Sequence, residues 1–300
     1  MKKFNIIHIG YHKTATSYLQ KNLFINFKDT FYRVNQSEIR NTLILPSPLR
    51  YSNIDFLNLC KPANNKKVVI SNEYLSSDIH RDDYRSMNNA LRLKEALPNS
   101  KVIIGVREQF SMIKSSYSQY IKAKGSSKIE KYLLDPITND FKFKHLEYCD
   151  LVNYYRTLFG QENVLVLPYE VLNKNPQLYI ETVLNFIEEK ELLDKINFQV
   201  EQKVNSSFKP IILHIKRYLN PFILKNLQKQ GYTFYSSFLM LIFTIVNKFF
   251  SKIPTKKIDQ YLSRKIDLKI SNQIKGQFEE SNRKLNNLTV FDLNELGYRM

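Results

Sequence analysis

An apolar run that ends in a glycine and leads at once into a lysine among hydroxyl residues dictates how the start of this chain folds. Phe4, Ile6, Ile7 and Ile9 read as a short strand and Gly10 as its sharp exit, while Tyr18, Leu19, Leu23, Phe24 and Phe27 recur at helical spacing from Thr16 onward. Lys13, Thr14, Thr16 and Ser17 therefore crowd the first turn of a helix. Backbone N–H groups without intrahelical acceptors and the positive end of the helix dipole favour a phosphate or sulfate there, and Lys13 adds a full charge. With Gly10 as its only glycine, the segment lacks the GxxxxGK[ST] spacing of a Walker A loop. The expectation is a phosphate-binding loop of another kind at a strand-to-helix junction.

Two later segments repeat the strand-then-polar pattern. Lys101–Val106 reads as a buried parallel strand, followed by Arg107 and a helix that carries Ser115 and Tyr117. An arginine at a strand's carboxyl end lies where ligands collect in open α/β sheets, and its planar fork suits phosphate oxygens. Lys66–Tyr74 is a further strand candidate that ends in a polar turn with a carboxylate, Glu73. His80 follows in a charged and exposed-looking stretch with Asp78, Arg81, Asp82 and Asp83. His8 falls inside the first strand and reads as a core residue, His12 lies in the loop, and His145 and His214 fall on amphipathic stretches. Farther on, His145–Phe159 has helical periodicity closed by Gly160, Val164–Leu167 is a buried strand, and Asn175-Pro176 caps a helix running to about Glu189. Cys60 and Cys149 stand alone, with neither metal-ligand nor disulfide spacing, so no metal is expected.

Gly10-Tyr11-His12-Lys13-Thr14-Ala15-Thr16-Ser17-Tyr18-Leu19-Gln20 resembles the phosphosulfate-binding loop of sulfotransferases, which use 3′-phosphoadenosine 5′-phosphosulfate. The family wording is PKTGTT, or HKTGTT followed by Leu-Gln in bacterial carbohydrate-type members; here Ala15 replaces the glycine and Ser17 the second threonine. Arg107 with Ser115 and Tyr117 resembles the second motif, RNPxxRxxSxY, although Glu108 and Gln109 stand for Asn-Pro and Ser111 and Met112 fall where an arginine is usual. The resemblance covers residues 4–207 and 271–298 in pieces. It implies a three-layer α/β P-loop-like fold with a central parallel sheet flanked by helices. It also implies a donor site of Gly10, His12, Lys13, Thr14, Ala15, Thr16, Ser17, Arg107 and Ser115, with Lys203, Asn205 and Ser206 from a polar loop over the nucleotide. By the resemblance Glu73 takes the role of base, with His80 its competitor because other branches of the family use histidine, and Lys13 that of the charge that neutralises the leaving oxygen. The implied reaction is sulfonate transfer to a hydroxyl or amine of a carbohydrate or lipid-linked acceptor, as in bacterial polysaccharide modification.

At 300 residues the chain is long enough for a full α/β core with one appendage, and residues 1–207 and 271–300 are assigned to that core. Residues 208–270 read as a helical insertion: they hold 12 Lys/Arg against 2 acids, out of a net charge of +17 for the whole chain. The same stretch contains the uncharged segment Gln230–Asn247, which is shorter and more polar than the ~20 apolar residues a spanning helix needs. It is expected either to close over the active site or to meet an anionic bilayer or acidic acceptor. Met1-Lys2-Lys3 leads into too short an apolar run for a signal peptide, so a cytoplasmic enzyme is expected, with peripheral contact at the inner face of the membrane as an extension. No nucleic-acid motif accompanies the basic stretch. Two other readings stay open at this level: a small-molecule kinase with a divergent phosphate loop, and a non-enzymatic basic protein of the membrane surface.

Overall fold

Four of the five strands are built from β-branched and leucine residues, which suit a doubly covered sheet. They are β1 (Asn5–Gly10), β3 (Lys67–Ser71), β4 (Ser100–Val106) and β5 (Val164–Pro168), with the short β2 (Phe31–Arg33) at one edge. The computed structural model describes residues 4–61, 65–76, 85–196, 208–230, 244, 248, 249 and 253–300. The strands form one sheet in the order β2-β3-β1-β4-β5, and every pairing is parallel. Consecutive residues along β1, β3, β4 and β5 are buried, so both faces are covered.

On one face Ile6, Val69, Ile103, Leu165 and Leu167 pack with Leu19, Leu23 and Phe24 and with the helix Pro176–Phe186 through Tyr179, Ile180, Val183 and Leu184. Asn175 caps that helix, its side chain accepting from the Leu178 amide at 3.0 Å. The opposite face is covered by the helix Tyr148–Phe159, which packs on β4, β5 and the helix Arg85–Ala96. Two helical layers thus enclose the sheet. Fully burying a side chain of the size of these aliphatics is worth roughly 1.5–3 kcal/mol each, so the layers hold the sheet rigid beneath whatever its carboxyl edge carries.

From β1 the chain turns toward β2 and β3, whereas β4 and β5 lie on the other side of β1. Connections therefore leave the carboxyl ends of β1 and β4 in opposite directions, and such a switch point opens a crevice at the sheet's edge. The loop after β1 and Arg107 after β4 both emerge there. One local expectation is revised: the helix foreseen from Thr16 to Phe27 is α-helical only over Thr16–Leu19 and continues as a π-helical turn, Gln20–Phe24. That turn carries Gln20, whose side-chain amide donates to the Ser71 carbonyl at 3.2 Å and to its hydroxyl at 2.9 Å.

The chain divides into two compact units, and everything above belongs to the first, Met1–Gln109 with Phe143–Val200 and Gly276–Met300. The second, Phe110–Lys142 with Glu201–Lys275, is helical in its described parts. It contains most of the helix Gln109–Lys122, the short Ile129–Tyr132 and the long helices Pro210–Gln230 and Lys256–Ile274. Buried Asn220 ties these together by donating to the carbonyls of Ile121 at 2.9 Å and Gly125 at 2.6 Å. Among the described residues no helix is long and apolar enough to cross a membrane. Apart from Gln230, Thr244 and the lysine-flank residues 248 and 249, the uncharged segment and its carboxyl flank up to residue 252 lie outside the described residues.

Candidate active site

Gly10 and Gly105 are direct neighbours in the register of β1 and β4, and the loop after β1 folds down onto them. A Cβ on Gly105 would come within 2.9 Å of the Thr14 hydroxyl, and one on Gly10 would lie 2.8 Å from it and run into the Thr16 hydroxyl. Gly10 is thus needed for space, since its φ is not in the left-handed region. With both Cβ atoms absent, Thr14 packs on the sheet and donates to the Tyr11 carbonyl at 2.6 Å. Lys13 and Ala15 take left-handed conformations, φ 67° and 61°, with Thr14 between them at negative φ. Such alternation turns successive N–H groups into one concavity suited to an anion. Since the following α-helical segment spans only Thr16–Leu19, this concavity and the Lys13 charge carry more of the anion preference than a long helix dipole does.

The left-handed conformation of Ala15 costs about 1–2 kcal/mol relative to a glycine in that region, and such strain persists where surrounding contacts impose it. The adjoining Thr16 hydroxyl is buried and without a hydrogen-bond partner among the described residues. That hydroxyl lies against Gly10 beneath the loop, and the concavity of amides beside the Lys13 charge fits a bound phosphate or sulfate. Exposed Ser17 completes the turn.

Asn72 sets the position of Glu73. Its amide N–H donates to the His8 carbonyl at 3.2 Å, and its side chain accepts from the Tyr74 amide at 2.9 Å, capping the single turn Glu73–Leu75. Glu73 Oε1 lies 3.5 Å from His12 Nδ1, and the His12 ring meets Tyr74 edge to face at 5.0 Å. Burial pushes the Glu73 carboxyl up, but the His12 hydrogen bond and charge together with Lys13 outweigh it and hold the group below the ordinary carboxylate value. Glu73 is therefore ionised at neutral pH. Beneath the loop, His8 Nδ1 sits 2.9 Å from the Ser71 hydroxyl and burial pushes its pKa down to about 4, so His8 is a neutral core residue.

Arg107 closes the site from β4. Its Nη1 donates to the Lys13 carbonyl at 3.1 Å and its guanidinium lies over the Tyr169 ring at 4.6 Å. The Arg107 carbonyl accepts from the Tyr148 hydroxyl at 2.7 Å, and the next amide, Glu108, donates to Glu170 Oε1 at 3.0 Å. Glu170 Oε2 in turn accepts from the Tyr298 hydroxyl at 3.0 Å. Burial raises the Glu170 carboxyl above its ordinary value despite those hydrogen bonds and the nearby Arg107 charge. Behind this turn Gln109 and Asn282 form a buried reciprocal amide pair, 2.7 and 3.2 Å.

Of the expected site residues, the structure brings together Gly10, His12, Lys13, Thr14, Ala15, Thr16, Ser17, Glu73 and Arg107 in the first unit. Ser115 belongs to the second unit, on the helix Gln109–Lys122, and Lys203, Asn205, Ser206 and the competing base His80 lie outside the described residues. Gly105, Tyr148, Tyr169, Glu170 and Tyr298 escape sequence reasoning. Only Gly105, a glycine inside an otherwise β-branched strand, carried a local signal of close backbone approach. Among the described residues no cluster of His, Cys, Asp and Glu could hold a metal ion.

A family model described as the sulfotransferase domain matches residues 4–218. No curated protein matches. Two of the solved structures that the chain matches are sulfotransferases. A sulfotransferase from Alicyclobacillus acidocaldarius is 15% identical with TM-score 0.49, covering 76% of this chain and 96% of that one. Mouse sulfotransferase SULT7A1 complexed with PAP is 13% identical with TM-score 0.38, covering 95% of this chain and 90% of that one.

The two buried threonines of the loop make opposite predictions. Thr14→Val removes a hydrogen bond internal to the loop and should lower stability by about 0.5–1.5 kcal/mol in urea unfolding. Thr16→Val removes a hydroxyl that no described group satisfies, so stability should hold. Binding of adenosine 3′,5′-bisphosphate should nevertheless weaken by roughly 10-fold or more, as expected for one hydrogen bond to a charged group. A Thr16→Val protein that bound this nucleotide as wild type does would show that the hydroxyl faces no phosphate.

Proposed function

The chain belongs to the sulfotransferase family and is an enzyme that transfers a sulfonyl group; from that premise we propose that its donor is 3′-phosphoadenosine 5′-phosphosulfate and its acceptor a hydroxyl or amine on a carbohydrate or lipid-linked molecule. The observation that carries the donor reading is the 3.1 Å hydrogen bond from Arg107 to the Lys13 carbonyl, which joins two anion-binding segments at the switch point of the sheet. In this reading the amides of Thr14 to Ser17 and the Thr16 hydroxyl hold the 5′-phosphate. Arg107 binds the 3′-phosphate in bidentate fashion, with Ser115, Lys203, Asn205 and Ser206 as further contacts. Gly10, Ala15 and His12 shape the cradle, and His12 also orients Glu73.

The chemistry assigned to these residues is positioning and charge stabilisation. Glu73, ionised through its contacts with His12 and Lys13, takes the proton of the acceptor hydroxyl as the new S–O bond forms. Lys13 stabilises the negative charge that builds on the bridging oxygen as the old S–O bond breaks. A kinase reading is disfavoured by the glycine pattern of the loop. Titration calorimetry with adenosine 3′,5′-bisphosphate against ATP and magnesium tests the donor directly, and tighter binding of ATP would overturn it.

Residues 208–270 are proposed to contact the acceptor or an anionic bilayer, on the strength of their 12 basic against 2 acidic residues. The protein should co-sediment with vesicles rich in anionic lipid, and less so as salt rises past the point where the Debye length falls below ~8 Å. Serine at Phe238, Leu239, Leu241 and Ile242 should weaken that binding with nucleotide affinity intact; loss of the donor site instead would identify the segment as part of the core.

Lys13 and Arg107 should fail differently. Lys13→Ala should lose mainly kcat, because its charge matters most as the leaving group develops its own, whereas Arg107→Ala should lose mainly nucleotide affinity. Equal nucleotide binding by Arg107→Ala and wild type would refute its assignment.

Glu73 makes a pH prediction with a definite sign. Its native pKa lies below its ordinary value, so the acid limb of kcat should fall below the usual carboxylate pH of 4.5. By the same linkage the contacts that lower its pKa stabilise the fold above the carboxylate range, and that contribution is lost as pH drops through the native value. Glu73→Gln should cut transfer by ~10²–10⁴-fold with donor affinity nearly unchanged, and His80→Ala should remain active. The reverse pattern would make His80 the base.

A further inference from the structure

The helix Lys256–Ile274 of the second unit is apolar on two sides. Leu262, Ile266, Ile270 and Ile274 recur every fourth residue and are half-buried or buried. Ile258, Tyr261 and Leu268, three and then seven residues apart, fall together on the opposite side. They are 51, 66 and 64% exposed and span about 15 Å of helix. Tyr218 and Phe222, each 55% exposed, form a second apolar strip on the helix Pro210–Gln230. Tyr218 shares the wall of one cavity with Tyr261 and Lys265, so the two strips adjoin.

The charges on that outer side have one sign. Lys257, Arg264 and Lys265 are exposed between and beside the apolar residues, and among the described residues no carboxylate forms an ion pair with any of them. The helix's own acids are engaged elsewhere. Asp259 accepts from the Ile211 amide at 2.9 Å and from the Thr255 hydroxyl at 2.5 Å, and Asp267 pairs with Lys114 at 2.6 Å. Exposed Glu130, on the short helix Ile129–Tyr132, pairs with Lys269.

Large apolar side chains scattered singly on a surface are ordinary, but Ile258, Tyr261, Leu268, Tyr218 and Phe222 are grouped on two neighbouring helices and mark a contact face. Lysine is depleted from the cores of protein–protein interfaces, and a soluble acidic glycan would use the cations yet leave Ile258 and Leu268 in water. A bilayer with anionic headgroups uses both kinds of residue. The apolar side chains enter the boundary of the acyl chains, the cations stay among the headgroups, and tyrosine, an apolar ring with a polar tip, suits the level between.

We propose that the outer side of the helix Lys256–Ile274, with Tyr218 and Phe222, is a docking surface that lies in the plane of an anionic bilayer. The proposal rests on the reading of residues 208–270 as a contact for an acceptor or an anionic bilayer. It deepens that reading by choosing the bilayer and by assigning the contact to this helix, independently of Phe238, Leu239, Leu241 and Ile242.

The test is co-sedimentation of the full chain with vesicles of phosphatidylcholine alone or mixed with phosphatidylglycerol. Wild type should bind the mixed vesicles at least ~10-fold more tightly, since each basic residue near an anionic surface is worth roughly 5-fold. Ile258→Ser, Tyr261→Ser and Leu268→Ser combined should weaken that binding by ~10-fold or more. Lys257→Gln, Arg264→Gln and Lys265→Gln combined should weaken it and flatten its salt dependence. All six side chains are exposed, so both variants should melt at the wild-type temperature. The chain has no tryptophan, so Tyr261→Trp supplies a single reporter that needs no loss of function. Its emission should shift to the blue on mixed vesicles and be quenched by brominated acyl chains, and heparin, a soluble polyanion, should do neither. Vesicle binding that survives in the triple serine variant, or a reporter that brominated lipid leaves unquenched, overturns this proposal alone, and the bilayer contact then falls elsewhere in residues 208–270. A wild type that binds heparin and ignores mixed vesicles overturns it together with the bilayer half of the reading beneath it, leaving the acidic acceptor.

Discussion

The candidate site exists because two adjacent strands both lack a Cβ at their carboxyl ends. Gly10 and Gly105 stand side by side in register, and Thr14 occupies the space above both. A methyl group on either would displace the Thr14 hydroxyl, which donates to the Tyr11 carbonyl and shapes the turn. The left-handed residues Lys13 and Ala15 flank that threonine, and the Lys13 carbonyl that Arg107 reaches belongs to the same turn. Sheet register therefore determines loop shape, and loop shape determines where the cations point. A parallel sheet buried on both faces is suited to this, since its strands cannot slide without exposing alternate rows of Ile and Val.

Two carboxyls lie close to a loop that favours anions, which would be self-defeating if both were fully charged and unpaired. Their surroundings push them apart. Glu73, beside His12 and Lys13, is held ionised, while Glu170, deeper and bonded to the Glu108 amide and the Tyr298 hydroxyl, has a raised pKa. Opposed shifts of this kind mark a division of roles. Glu73 sits at the open side as the proposed base. Glu170 braces the turn that carries Arg107. The brace joins the start of the helix Tyr169–Lys174 to Tyr298 near the end of the chain.

Much of this was legible in the sequence. The strands carrying Ile6, Ile103 and Val166 announce themselves by β-branched runs, and the Gly10–Ser17 loop by its order of residue types. Glu73 and Arg107 follow because each ends a strand, and in a parallel sheet all strand ends of one sense share an edge. What could not be read depends on contacts distant in sequence. β2 is only Phe31–Arg33, too short for a periodic signal, and it exists because it pairs with β3. The helix from Thr16 was expected to run to Phe27, but its second half is a π-helical turn carrying Gln20, which bonds to Ser71, 51 residues away. Tyr148, Glu170 and Tyr298 are far apart in sequence, and only the fold shows that they converge on one turn.

Net charge alone says little about what a protein binds, since basic residues on a helix usually face water or pair locally. In the second unit the same residue type falls into two classes that the sequence cannot separate. Lys114 and Lys269 are consumed by Asp267 and Glu130, so they contribute little to any field outside the pair. Arg217 and Lys265 lack such partners among the described residues and depress the pKa of His214 between them. The basic excess of residues 208–270 is thus not a uniform coat. Part of it is tied into ion pairs within the unit, and part, half-buried Arg217 and exposed Lys265, has no carboxylate partner among the described residues.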